Sequence, residues 1–139
     1  MSTNVVSAKQ IQRDWHLMDA KDKILGRLAV DIATKLSGKS KTNYVPYLDL
    51  GDFVIVTNAE QIKISGKKSE QKIYARHSGY PGGYKEESFS RLLSRRPEAI
   101  IQHAVEGMLP KNKLAKRMIT RLKVYKGDEH PFKKQVGGK

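Results

Sequence analysis

Residues 23–37 read KILGRLAVDIATKLS, and fifteen residues further on residues 53–57 read FVIVT. In the first stretch Ile24, Leu25, Leu28, Ala29, Ile32, Ala33 and Leu36 recur at the spacing of one helix face. Asp22 stands where an N-cap is expected, and Gly38 supplies a C-terminal stop. Gly26 in the first turn costs helix stability, which suggests close packing or backbone approach there. The second stretch is a short β-branched run suited to a buried central strand. Upstream, residues 15–20 (WHLMDA) alternate imperfectly and end in a polar turn, as a strand does. Strand, helix and strand over this length imply a right-handed βαβ crossover and an α/β fold.

Working outward, residues 61–65 and 72–76 read as short extended segments joined by a turn at Gly66, Lys67 and Lys68. Residues 77–84 (HSGYPGGY) hold three glycines and a proline in eight positions, which excludes regular structure. Residues 88–95 read as a helix capped by Ser88. Pro97 opens another helix with Ala99, Ile100, Ala104, Val105 and Met108 on its apolar face, and Pro110 ends it. Asn112 caps a further helix to about Leu122, with Leu114, Met118, Ile119 and Leu122 inward and Lys113, Lys116, Arg117 and Arg121 outward. Residues 123–125 form a last short strand, and residues 127–139 a polar tail. Nothing marks a repeat or an internal linker, so 139 residues make one compact domain.

Charge is the strongest functional signal. The chain carries 27 Lys and Arg against 14 Asp and Glu, a net charge of +13. The excess is uneven: residues 1–62 are near balance with 8 basic and 7 acidic side chains, while residues 63–96 hold 9 and 3. Residues 97–109 hold no cation and 2 acids, and residues 110–139 hold 10 basic and 2 acidic side chains. A scaffold is thus followed by two cationic segments. Such an excess repels itself in the free protein and becomes favourable against a polyanion, where phosphate neutralisation releases counterions. A solvated surface would more commonly mix both signs. A membrane is the rival polyanion, but no apolar run is long enough to span one and no long basic amphipathic helix offers an anchor. Residues 1–13 lack the apolar stretch of a signal peptide.

Catalytic chemistry finds little support. The chain has no cysteine, which removes disulfides, thiol catalysis and thiolate metal sites and is consistent with a reducing cytoplasm. His16, His77, His103 and His130 are scattered with no metal-ligand spacing, so no metal and no cofactor are expected. His103, among apolar residues, reads as packed. Asp49 with Asp52, and Glu86 with Glu87, suit turns and caps better than acid/base work. Gly38-Lys39-Ser40 resembles the end of a phosphate loop, but Ala33 occupies the place of its first glycine and the triplet follows a helix instead of opening one. A nucleic-acid-processing enzyme would need a metal or acid/base cluster, and a DNA-binding protein a groove-reading helix, for which residues 111–123 are the single candidate.

The loop at 77–85 is more telling. His77, Tyr80 and Tyr84 offer rings for stacking on unpaired bases, Gly79, Gly82 and Gly83 open the backbone to phosphates, and Arg76 and Lys85 flank them. The alternative is a glycine-rich turn with its rings folded inward. The basic helix with Lys111, Lys113, Lys116, Arg117 and Arg121 suits a run of phosphates. Lys39, Lys41, Lys67, Lys68 and His130 complete the candidate RNA-binding set.

Several blocks resemble one family. They are Trp15-His16-Leu17-Met18-Asp19-Ala20, Leu25-Gly26-Arg27-Leu28-Ala29, Tyr44-Val45-Pro46, Gly51-Asp52-Phe53-Val54-Ile55-Val56 with Asn58-Ala59, and His77-Ser78-Gly79-Tyr80-Pro81-Gly82-Gly83. The most specific are Ala104-Val105-Glu106-Gly107-Met108-Leu109-Pro110-Lys111-Asn112, Leu122-Lys123-Val124-Tyr125-Lys126-Gly127 and Glu129-His130-Pro131. In this order, from about Trp15 to Gln135, they resemble the thirteenth large-subunit ribosomal protein family, bacterial type. Glu106, Ala115 and Phe132 depart from its commonest pattern. The resemblance implies a three-layer α/β/α domain, residues 15–126, with a mainly parallel four-stranded sheet, a variable leader at 1–14 and a basic tail at 127–139. It implies a non-enzymatic constituent of the large subunit in the cytoplasm, in preference to an organelle. Such a protein binds large-subunit rRNA beside neighbouring ribosomal proteins and acts early in assembly. Some family members also bind their own mRNA and repress its translation. No membrane and no small-molecule substrate are expected as partners.

Overall fold

The structure, a computed structural model, describes residues 5–137, so the outer ends of the leader and tail lie outside the described residues. Strand β1, Trp15–Asp19, leads to helix α1, Leu25–Ser37, and on to strand β2, Phe53–Thr57. β1 and β2 pair in parallel with Trp15 opposite Phe53 and Asp19 opposite Thr57. The periodicity of α1 is realised from Leu25 on: Leu25, Leu28, Ala29, Ile32, Ala33 and Leu36 are all buried, whereas Ile24, expected on the same face, precedes the helix and is 40 % exposed. Burying a Leu or Ile side chain is worth roughly 1.5–3 kcal/mol, so this stripe is what holds the helix to the sheet.

The ends of α1 differ from one another. Gly38 stops the helix in the left-handed conformation, φ 80°, and its N–H bonds Thr34 O at 3.2 Å. At the start, Ile24 precedes the helix with no side-chain cap. Asp22, expected as the cap, sits at φ 59° with its carboxylate 2.8 Å from Lys63 Nζ. Gly26 has nothing within 4 Å of where its Cβ would be, so no close approach explains it. The approach occurs instead at Gly51, where a Cβ would collide with the Leu36 carbonyl.

The parallel sheet has three strands, not four. Strand β5, Leu122–Val124, joins the free edge of β2 in parallel and gives the order β1-β2-β5. Residues 61–65, expected to be extended, contribute one bridge between Ile24 and Lys63, and Lys68–Gln71 forms a one-turn helix, α2. The expected second segment does form: Ile73–His77 is strand β3. It pairs antiparallel with Tyr84–Ser88, β4, as a separate two-stranded sheet. The glycine-rich stretch is therefore the tip of a hairpin. Gly79 (φ 86°) and Gly82 (φ 69°) supply the positive dihedrals that the reversal needs.

Helix α3, Phe89–Arg95, is capped by Ser88, whose Oγ accepts from Arg91 N. Helix α4, Pro97–Met108, opens on its proline, and α5, Lys113–Thr120, is capped by Asn112 through Ala115 N at 3.1 Å. Within α4, Ile101 is buried whereas Met108 is 44 % exposed, so the inward stripe is rotated from the expected one. Leu122 belongs to β5, not to α5.

The two faces of the sheet are covered unequally. Val54, Val56 and Leu122 pack into one core with α1, α4 and Met118 of α5. On the opposite face Trp15 stacks on Phe53 with ring centroids 4.2 Å apart and planes at 5°. Phe132, from the closing segment, stacks on Trp15 at 5.1 Å, and the short helix α6, Lys133–Gly137, lies against β1. A thin aromatic strap thus covers this face of the sheet.

Candidate nucleic-acid interface

Pairing in the hairpin sets Arg76 of β3 directly opposite Lys85 of β4, and His77 opposite Tyr84. Two like charges facing across a pair destabilise a hairpin unless an anion lies between or over them. Both are exposed, as are Tyr80 (75 %) and Tyr84 (56 %) at the tip. The rings point to solvent, which removes the inward-folded alternative. The amides are less available than expected: Gly79 N donates to His77 Nδ1 at 2.8 Å, and Gly83 N to Tyr80 O at 2.9 Å. A Cβ on Gly83 would strike Ser78 Oγ. These glycines shape the tip more than they open it to phosphates. Tyr84 OH donates to Glu86 Oε1 at 2.5 Å, and that bond pushes its phenol pKa up.

A cleft of 580 Å³ separates the hairpin from α3 and α4. Arg91, Arg95 and Arg96 line it from the helical side, facing Arg76 and Lys85. Arg95 grips Glu87 with two bonds, Nε to Oε1 at 3.0 Å and Nη2 to Oε2 at 2.6 Å. That pairing holds the Glu87 carboxyl below its usual range and raises Arg95. A second cleft, of 660 Å³, runs between the end of α4 and α5, lined by Lys111, Lys113 and Lys116. His103 borders both, so the two form one track. His103 is exposed, not packed as its neighbours suggested, though its ring meets Tyr74 edge-on at 5.4 Å. On α5, Lys113, Lys116 and Arg117 are exposed while Met118 is buried and Leu114 and Ile119 are half-buried.

Two candidate cations point elsewhere. Arg121 is 6 % exposed and binds both oxygens of Asp49, with Nη2 also 3.0 Å from Leu36 O. Lys41 Nζ lies 2.7 Å from Asp52 Oδ1 and 2.7 Å from Gln12 O. Asp49 and Asp52 sit buried in the α1–β2 connection and collect these cations together with Arg13 and His16. Burial pushes the Asp52 carboxyl up, but bonds from Lys41, His16 and Asp14 N outweigh it and leave it below the usual range. Each was expected to face RNA; the structure turns each toward a buried carboxylate, with Arg121 buried and Lys41 half-buried. Of the others, Lys39, Lys67 and Lys68 are exposed, and Lys39 borders a hollow beside Met108 and Pro110. His130 is half-buried beside Tyr125, ring centroids 6.3 Å apart.

The family model described as "Ribosomal protein L13" matches residues 13–131. The chain belongs to the ribosomal protein L13 family. Among relatives, the "Large ribosomal subunit protein uL13" of Prochlorococcus marinus (strain NATL1A) is 55 % identical over 133 residues, covering 96 % of this chain and 89 % of the relative. The protein of the same name from Trichormus variabilis is 57 % identical over 127 residues, 91 % of this chain and 84 % of the relative. That from Roseiflexus castenholzii is 52 % identical over 135 residues, 97 % and 92 % respectively.

In this L13-family chain, the residues that sequence reasoning left out of the candidate set are Arg91, Arg95 and Arg96. The signal was present in SRLLSRRP, residues 90–97, which closes the first cationic segment. It was hidden because a capped helix accounts for the stretch without any ligand. What the track offers chemically is guanidinium and ammonium groups, the donors that pair with phosphates, with tyrosine rings at one end.

Proposed function

We propose that this chain is a structural constituent of the large ribosomal subunit in the cytoplasm, holding large-subunit rRNA without any turnover and supporting subunit assembly beside neighbouring ribosomal proteins. Arg76, His77, Tyr80, Tyr84 and Lys85 of the hairpin form one end of the contact. Gly82 and Gly83 shape its tip. Lys111, Lys113, Lys116 and Arg117 form the other end, with Arg91 and Arg96 between. Lys39, Lys67, Lys68 and His130 are outlying contacts. The observation that carries this reading is the exposed like-charge pair Arg76–Lys85 at the head of a cation-lined track, in a member of this family. A polyanion relieves the repulsion that the free protein endures. The same surface suits a folded leader of the protein's own message, which is the secondary role the resemblance carries.

The test is co-sedimentation with large subunits through a high-salt wash, followed by protein–RNA crosslinking. Crosslinks are expected in residues 63–96 and 110–139, and affinity for isolated folded rRNA should fall steeply with salt. Crosslinks confined to residues 1–62 would overturn the assignment of the surface.

A further inference from the structure

We infer that the cleft between the β3–β4 hairpin and helices α3 and α4 receives a single unpaired nucleotide, extruded from the RNA, instead of only lying along a phosphate backbone. The inference rests on the rRNA-binding reading above and names what that surface takes in at one point.

Three observations carry it. The first is size. At 580 Å³ the half-open cleft falls within the about 300–1,000 Å³ of small-molecule sites, room enough for one nucleotide. The second is its lining. Among the lining residues Arg76, Lys85, Arg91 and Arg96 are exposed, while Leu92 is buried and Ala99 half-buried. Charged groups beside apolar ones match a nucleotide, whose phosphate is ionic and whose base has an apolar face. The third is the acid. Glu87 lies in this cationic wall with both oxygens bound by Arg95. A carboxylate opposes a phosphate, but it accepts from the amino or imino hydrogens of a base edge, and two guanidinium bonds leave it further acceptor capacity. The His103 ring, in edge-on contact with Tyr74, borders the cleft and adds an aromatic ring to this wall.

The experiment fills the cleft without changing its charge. Ala99→Phe projects a ring from α4 into the space, and Ala99→Leu fills less of it. Each full-length variant is titrated with two probes. One is a short RNA hairpin whose unpaired loop carries 2-aminopurine, and the other is a fully paired RNA of equal length. The unmodified chain should bind the looped probe with a change in 2-aminopurine emission. Ala99→Phe should lose about tenfold in affinity for that probe and none for the duplex, the value of one base–aromatic or base–apolar stack. Ala99→Leu should lose less, and it keeps the comparison usable if the larger ring disturbs folding, which thermal melting reports. Equal affinity of a folded variant and the unmodified chain for the looped probe overturns the insertion while leaving rRNA binding intact. An equal loss on both probes also overturns it. If the unmodified chain binds neither these probes nor folded rRNA, the functional reading falls together with it.

Discussion

Arg117 and Arg121 stand one helical turn apart on the same cationic segment, yet one faces solvent and the other is sealed inside the protein. The contrast extends to two regions. Around the α1–β2 connection, Asp49 and Asp52 draw Arg13, His16, Lys41 and Arg121 inward and bind them. Along the hairpin and helices α3 to α5, Arg95 binds Glu87, whose charge Arg76 and Arg91 also feel, while Arg76 faces Lys85 and the cations of α5 face water. The residue types are the same in both places. What differs is whether the fold delivers a buried carboxylate, and only the second region is left needing an anion from outside.

The largest effect should come from breaking the inward region. Arg121→Leu leaves Asp49 buried with its chief partner gone, and a single removal of this kind costs about 3–5 kcal/mol. Asp49→Leu should cost similarly, since it strands the guanidinium. The pair Arg121→Met with Asp49→Leu should recover most of that loss, because a packed apolar pair avoids desolvating either charge. Urea unfolding of the purified chain measures all three. A loss under about 1 kcal/mol for Arg121→Leu would return that residue to the surface class and erase the contrast.

At the hairpin tip the effect moves from folding to binding. Tyr80→Ala should weaken rRNA binding by roughly 1–3 kcal/mol, the value of one stacked base. It should leave melting unchanged, because the ring is 75 % exposed. Gly82→Val should reproduce the binding defect by another route, since φ 69° strains a β-branched residue and re-aims the tip. If Tyr80→Ala melts earlier and binds normally, the ring belongs to the fold.

A smaller effect concerns acid. Asp52 has its folded pKa held below that of an ordinary aspartate. Such a group contributes stability that is present above its unfolded pKa and is lost as pH falls through the folded value. The loss should therefore begin as pH drops toward about 4 and deepen below it. Asp52→Asn should be less stable at neutral pH and should lose less between about pH 5 and about pH 2. Parallel slopes for both proteins would show that its bonds to Lys41 and His16 contribute nothing to the inward region. On the outward track Glu87, held low by Arg95, should produce a slope of the same sign.

How much of this was legible beforehand follows the range of the interactions. The βαβ unit was readable because α1 and β2 are set by local periodicity and a glycine stop. The exposure of Tyr80 and Tyr84 agreed with the glycine pattern around them. The strand count was not readable in the residues, since residues 61–65 have strand-like composition but are drawn toward the start of α1 by a single bridge between Ile24 and Lys63. The fate of Arg121 was hidden because its partner lies 72 positions away. Helical spacing marks a cation as outward by default, and only the tertiary fold brings the acid that reverses it. Phe132 was hidden likewise: a lone aromatic in a polar tail gave no sign that Trp15 and Phe53 would stack beneath it.

The smallest expected change in stability is the sharpest test of the comparison. Lys116 and Arg117 are adjacent, exposed and outside every ion pair among the described residues. The double swap Lys116→Glu with Arg117→Glu should alter melting of the free chain by less than about 1 kcal/mol, because exposed charges contribute little to folding. The swap also lowers the net charge by four, which relieves self-repulsion and opposes any small loss. Met118→Ala, the next residue along, should by contrast cost about 2–5 kcal/mol, since its side chain is 4 % exposed in the core. In cells the order should invert. Two attractive phosphate contacts become repulsive in the charge swap, so its occupancy in large subunits should fall well below that of the unmodified chain. Met118→Ala keeps every cation and should load in proportion to the fraction that is folded. Melting of each purified variant, paired with quantitative mass spectrometry of purified large subunits, reads both axes at once. Wild-type occupancy of the charge swap would remove α5 from the outward region and leave the hairpin and α3 to hold the RNA alone.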